Sequence, residues 1–271
     1  MKGKNWREYE PPNKKRKSHP QKAKQKSKRR QKKKGMLSRF WVVILLFAIG
    51  YVGYMLYFYF GKPYIVALDP GHGGEDIGAD GIIQEVTLAE NTADALEELL
   101  KEDGRFRVVR SRKNGETKGI NERNHKFVKV KPDVMLSIHG NSSDGGNGYG
   151  FECYPSVPGM ENHEESLSFA ACLASEMEAA GARLRGIDGI RFGYYGADGK
   201  KILVESSDTS LYDYDTFGML KNMDCAAVLV EQCFLTNESD VEKFATPQGC
   251  QRAAEAYYHA ILQYLDAEPL V

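Results

Sequence analysis

Three apolar runs in this chain end in residues that can do chemistry. YIVALD (64–69) leads into Pro70-Gly71-His72-Gly73-Gly74, DVMLSI (133–138) into His139-Gly140-Asn141, and AAVLV (226–230) into Glu231. Two imidazoles and a carboxylate make a known catalytic zinc set, which leaves a fourth position open for water. A second carboxylate, Glu85, stands where the glycine-rich loop hands over to a helical stretch, and a negative side chain is favourable at a helix N-terminus. Taken singly, His72 reads as a turn residue, His139 as a satisfied core histidine and Glu85 as a helix-start carboxylate. Glu231 is the hardest to explain away, because a carboxylate ending a buried apolar run is costly unless it is paired or near a metal. GHGGED is not a phosphate loop, since no Gly-Lys-Ser/Thr follows, and HExxH is absent. His125, His163 and His259 lie beside charged neighbours and read as surface residues, while Glu90 and Asp94 read as the solvated face of a helix.

The elements that must position these residues alternate short β-rich runs with longer helical ones. Strands are expected at 64–69, 105–111, 133–138, 150–154 and 226–231. Helices are expected at 86–102, 121–130, 161–180, 238–245 and 248–265. In the first of these, Leu88, Thr92, Leu96, Leu99 and Leu100 fall at helical spacing. The alternation predicts a single α/β domain, with a mostly parallel twisted sheet covered by helices on both faces. Ligands of such sheets bind at the carboxyl ends of the strands, where both histidines and Glu231 are expected. Residues 186–216 show no period and read as a long hairpin or loop. Their Tyr194, Tyr195, Tyr212 and Tyr214 suit either packing or the wall of a sugar or peptide groove.

The zero formal net charge of the 271 residues conceals two opposite polyelectrolytes. Residues 1–39 carry 17 Lys/Arg against 2 Asp/Glu, and residues 61–271 carry 20 against 35. Between them, residues 40–60 are apolar and uncharged, and as a helix they span about 31 Å, the thickness of a bilayer core. The excess of Lys and Arg before this span predicts a single-pass signal anchor with a cytoplasmic N-terminus and residues 61–271 outside. No small-residue cleavage site follows the span, which disfavours a removed signal peptide. The basic tail, 1–39, cannot bury a core and is expected to be disordered, and its place beside the span favours anionic lipid headgroups over nucleic acid as its partner. The five cysteines are odd in number and lack a CxxC pair, which argues against a disulfide framework and against a Cys-rich zinc site.

The landmarks IVALDPGHGG (65–74), Glu85, VVRSR (108–112), Asn121-Glu122-Arg123, LSIHGNSS (136–143), GFECY (150–154) and VLVEQCFLTN (228–237) together resemble the zinc-dependent N-acetylmuramoyl-L-alanine amidases of bacterial autolysins. The resemblance runs from about Tyr64 to Leu265. It implies zinc ligands at His72, Glu85 and His139 and a catalytic glutamate at Glu231. It further implies a peptidoglycan substrate, cut at the amide between N-acetylmuramic acid and L-alanine of the stem peptide. Asn141 then reads as fixing the strand-end turn, and Arg123 as a structural ion-pair partner. The 186–216 segment is longer than in compact members of the family. Two other readings remain: a catalytically silent, membrane-anchored wall-binding protein, and a zinc peptidase or deacetylase on the same scaffold.

Overall fold

The computed structural model describes residues 39–55 and 61–267. The chain divides into two units, residues 1–61 and Lys62–Val271. In the first, residues 39–55 form a helix, α1, with exposed apolar side chains such as Trp41 and Phe47. Among the described residues no helix is long and apolar enough to cross a membrane. Residues 1–38 of the expected basic tail and 56–60 of the expected span lie outside the described residues.

The second unit runs β1 (Tyr64–Pro70), α2 (Glu85–Asp103), β2 (Phe106–Arg110), α3 (Ile120–Val130), β3 (Val134–Asn141), β4 (Glu152–Pro155), α4 (His163–Ala179), β5 (Arg191–Tyr195), β6 (Lys201–Glu205), β7 (Asp215–Thr216), β8 (Ala226–Phe234), α5 (Glu238–Phe244) and α6 (Pro247–Tyr264). Five strands form one sheet in the order β2-β1-β3-β8-β4. Its pairings are parallel except that of β4 with β8.

The two-residue side-chain period of the strands sorts the core into two layers. Val66, Leu68, Val134, Leu136, Ile138, Val228 and Val230 pack under α2, α4 and α6. Ala67, Met135, Ala227 and Leu229 face the other way, against Phe127 of α3 and the segment holding Phe217, Met219, Leu220 and Met223. The mostly parallel sheet is as the sequence predicts. Its second face, however, is covered by one helix and a non-helical segment. The apolar residues of 217–223 are spaced without a helical period, and the segment covers the sheet as turns. Helix boundaries follow local chemistry. Gly104 ends α2 in the left-handed conformation, at φ 73°. The Thr246 hydroxyl accepts from the Gly249 amide, with Pro247 in the first turn of α6.

The aperiodic segment resolves into a small antiparallel sheet, β6-β5-β7. Phe192 and Tyr194 pack with Val157 in a core of their own. Arg191 pairs with Glu205 inside the small sheet at 2.7 Å and clamps that sheet to the large one through Glu152 of β4 at 3.1 Å. Among the described residues all five cysteines are free.

Candidate active site

The first histidine is placed by a turn that only small residues allow. The Gly71 amide donates to the Ile138 carbonyl at 2.9 Å, carrying the β1–β3 pairing one residue past the strand. The chain then reverses, and His72 takes a left-handed φ of 61°. A Cβ at Gly71 would lie 2.4 Å from the His139 ring, and one at Gly78 would lie 2.5 Å from a Glu85 carboxylate oxygen. The glycines therefore let backbone touch the reactive side chains. Glu85 is the first residue of α2. His139 sits near the end of β3, just before a register break against β8, and a bulge of this kind re-aims a side chain beside a site.

His72 Nε2 and His139 Nδ1 both point at Glu85 Oε1, at 3.0 and 2.8 Å. One ligand atom from each of the three residues lies within 4.8 Å of the others. Asp76 holds the other nitrogen of His72, with Nδ1 2.9 Å from Oδ1, and the Ala79 amide donates to Glu85 Oε2 at 2.8 Å. Burial alone would raise the Glu85 carboxyl, but hydrogen bonds and charge from His139 and His72 hold it well below the usual carboxylate range. Burial would lower His72, yet Glu85 and Asp76 raise it on balance. His72 thus faces a carboxylate at each ring nitrogen. A divalent cation between the three groups would replace the Nε2 proton. The N,N,O donor set fits zinc and would leave a coordination position for water.

Glu231 lies opposite, on β8, in register with His139 of β3 and Glu152 of β4. It is 7% exposed. Its Oε1 meets the Lys201 ammonium at 3.4 Å, while its buried Oε2 has no hydrogen-bond partner among the described residues. Burial pushes the Glu231 carboxyl up, Lys201 and His139 oppose this, Glu85 and Glu152 add to it, and the result stays above the usual value. His72, Glu85, His139 and Glu231 all line one cavity of about 360 Å³, with Arg123, Lys201, Tyr195 and Phe217 among its other walls. The structure therefore brings together the four residues singled out in the sequence.

Other expectations divide. Arg123 is the ion-pair partner expected of it: Nη1 is 2.5 Å from Oδ1 of the fully buried Asp69, whose Oδ2 accepts from Ser137 Oγ at 2.7 Å. Asn141 caps the strand end, its Oδ1 accepting from the Ser142 amide at 2.9 Å and its Nδ2 donating to Glu152 at 2.6 Å. Glu90 departs from the solvated face expected of it, because Arg112, 1% exposed, needs a counter-charge and Glu90 supplies it. His125 and His259 are exposed as expected, whereas His163 is half-buried with Nδ1 2.7 Å from the Ser156 carbonyl oxygen. Sequence reasoning missed Asp76, Glu152 and Lys201. Asp76 lies four residues after His72, a spacing that means nothing until the loop folds back. Lys201 belongs to the segment without a period.

A family model described as N-acetylmuramoyl-L-alanine amidase matches residues 66–263, which hold all four of these residues. The chain belongs to the N-acetylmuramoyl-L-alanine amidase family. Among curated proteins, it is 27% identical over 229 residues to Probable N-acetylmuramoyl-L-alanine amidase AmiB of Haemophilus influenzae, covering 76% of this chain and 53% of that one. The solved N-acetylmuramoyl-L-alanine amidase of Clostridium difficile superposes with a TM-score of 0.62 at 26% identity, covering 77% of this chain and 100% of that one. The catalytic domain of CwlV from Bacillus (Paenibacillus) polymyxa superposes with a TM-score of 0.60 at 26% identity, covering 76% and 99%. The chain spans between 35% and 58% of the length of the first curated amidases it matches. Of the two solved structures, in contrast, the match covers 100% and 99%.

Proposed function

We propose that this protein is a peptidoglycan hydrolase that cuts the amide between N-acetylmuramic acid and the L-alanine of the stem peptide, with zinc held by His72, Glu85 and His139 and with Glu231 as general base. The observation that carries the reading is the sharing of one cavity by a converging His-Glu-His cluster and a buried carboxylate with a free oxygen. Family membership supplies the substrate class. When bound, zinc would supply Lewis acidity, lowering the pKa of water toward neutrality and polarising the scissile carbonyl. Glu231 Oε2 accepts the proton of the attacking water as its oxygen bonds to the lactyl carbonyl carbon. The C–N bond then breaks, and Glu231 returns the proton to the departing L-alanine nitrogen. Asp76 keeps the His72 ring turned so that Nε2 faces the metal position, the usual service of a carboxylate behind a ligating histidine.

The same proposal extends to location. Residues 40–60 form a signal anchor, residues 1–39 stay in the cytoplasm against anionic lipid, and the amidase domain lies outside the cell membrane. Support comes from the uncharged apolar run, the one-sided Lys/Arg excess and the exposed apolar helix α1. Protease applied to intact protoplasts should remove the domain and spare the tail, and a domain protected from protease would refute the topology. The enzymatic reading is tested by digesting purified muropeptides with the zinc-loaded protein. An amidase frees stem peptides beginning at L-alanine. A peptidase shortens the peptide instead, a deacetylase releases acetate, and a silent binding protein releases nothing.

A further inference from the structure

The β5–β6 hairpin does more than wall the cavity. Lys201 opens β6, paired with Tyr195 of β5, and its side chain crosses to the large sheet. There the ammonium lies over the rings of Phe217 at 5.0 Å and Tyr154 at 5.3 Å and reaches Glu231 Oε1 at 3.4 Å. Two aromatic faces and a carboxylate hold one flexible side chain, which remains 39% exposed to solvent. Among the described residues, Glu231 has no other ion-pair or hydrogen-bond partner for its side chain, and Oε2 is left free. The hairpin is in turn pinned by Arg191 to Glu152, the residue in register with Glu231. One small sheet therefore both carries the cation and is clamped beside the carboxylate it serves.

We propose that Lys201 is a positioning residue for Glu231: by binding Oε1 it fixes the plane of the carboxylate so that Oε2 faces the reacting water. Lys201 itself neither bonds the substrate nor exchanges a proton with it. The inference rests on the reading of Glu231 as general base.

The test uses the full zinc-loaded chain in detergent, with muropeptides as substrate. Lys201→Met should lower kcat by about 10–100-fold, by analogy with residues that orient metal-ligating side chains. KM should change little, and zinc content and Tm should match the unaltered protein. Lys201→Arg should recover part of the loss. Lys201→Cys alkylated with 2-bromoethylamine, which restores an ammonium at nearly the same reach, should recover more, with the unaltered protein treated alike as control. The discriminating arm is a double-mutant cycle. In a Glu231→Gln background, Lys201→Met should cost nothing further. A rise in KM at constant kcat, or a full additional loss in the Glu231→Gln background, would overturn the proposal by making Lys201 a substrate contact. Unchanged kinetics for Lys201→Met in a protein that frees stem peptides would overturn it alone, whereas an unaltered protein that frees none would overturn the enzymatic reading instead.

Discussion

Glu85 and Glu231 are carboxylates of one cavity held in opposite ways. Glu85 faces two imidazoles and accepts from two backbone amides, those of Ala79 and Gly140, and its carboxyl is held well below the usual range. Glu231 is as deeply buried but has Lys201 on one oxygen and nothing on the other, and its carboxyl stays above the usual range. When environments push two neighbouring acids apart in this way, their roles separate. A carboxylate that stays ionised under all working conditions suits a metal ligand. One that is costly to ionise and keeps a free oxygen suits the exchange of a proton. The difference comes from placement: Glu85 starts a helix against a glycine turn rich in donors, while Glu231 lies within a central strand that is buried along its whole length.

That contrast can be broken most severely at the histidines. Replacing His72 and His139 together with Ala should remove bound metal and activity at once, measured by metal analysis beside turnover. Retention of stoichiometric zinc would dissolve the distinction. Glu231→Gln should retain zinc but lose about 10²–10⁴ in kcat, the usual weight of a general base. Its Tm should not fall at neutral pH. A group whose folded pKa is raised contributes stability below its unfolded value and loses it as pH rises through the folded one, so the neutral amide removes a cost.

Arg123→Met should destabilise the fold by about 3–5 kcal/mol, because it leaves Asp69 buried without its counter-charge. Denaturant unfolding measures this. Asp76→Ala should weaken zinc about 10–100-fold without abolishing it, as for other residues behind a ligating histidine, and competition with a chelator reads the change. The smallest effect is in the metal-free protein. The Glu85 carboxyl lies below its ordinary value of 4.5, so its stabilising contribution is present above that pH and is lost as pH falls through the folded value. The Tm of the chelator-treated protein should therefore drop on acidification below pH 4.5, and that of Glu85→Gln should drop less.

Much of the site was legible in the sequence because strand ends announce themselves. An apolar run that meets a His or Glu marks a side chain on the ligand-binding edge of the sheet, so His72, His139 and Glu231 could be named together, although β3 runs on to Asn141 and β8 to Phe234, past the ends expected of them. Glu85 was legible as a helix-start carboxylate, and its ligand role came only through the family resemblance. What stayed hidden depends on contacts between distant segments. Lys201 reaches Glu231 across 30 positions from a segment without a period. Glu90 looked solvated because the helix pattern says nothing of Arg112, a buried cation 22 positions away that needs a partner. The covering of the second sheet face was misread for the same reason. Residues 217–223 bury their apolar side chains through turns, which leave no periodic trace.

The central claim is that this cavity hydrolyses the muramoyl–alanine amide by way of the His-Glu-His metal cluster and Glu231. The most direct measurement is mass spectrometry of disaccharide-peptide muropeptides incubated with the purified zinc-loaded protein and, in parallel, with Glu231→Gln. The account predicts that the unaltered protein releases intact stem peptides with a free L-alanine amino terminus together with unmodified disaccharide, and that the variant does so only after far longer incubation with the same zinc content. Cleavage at any other bond, or equal release by both proteins, would contradict it.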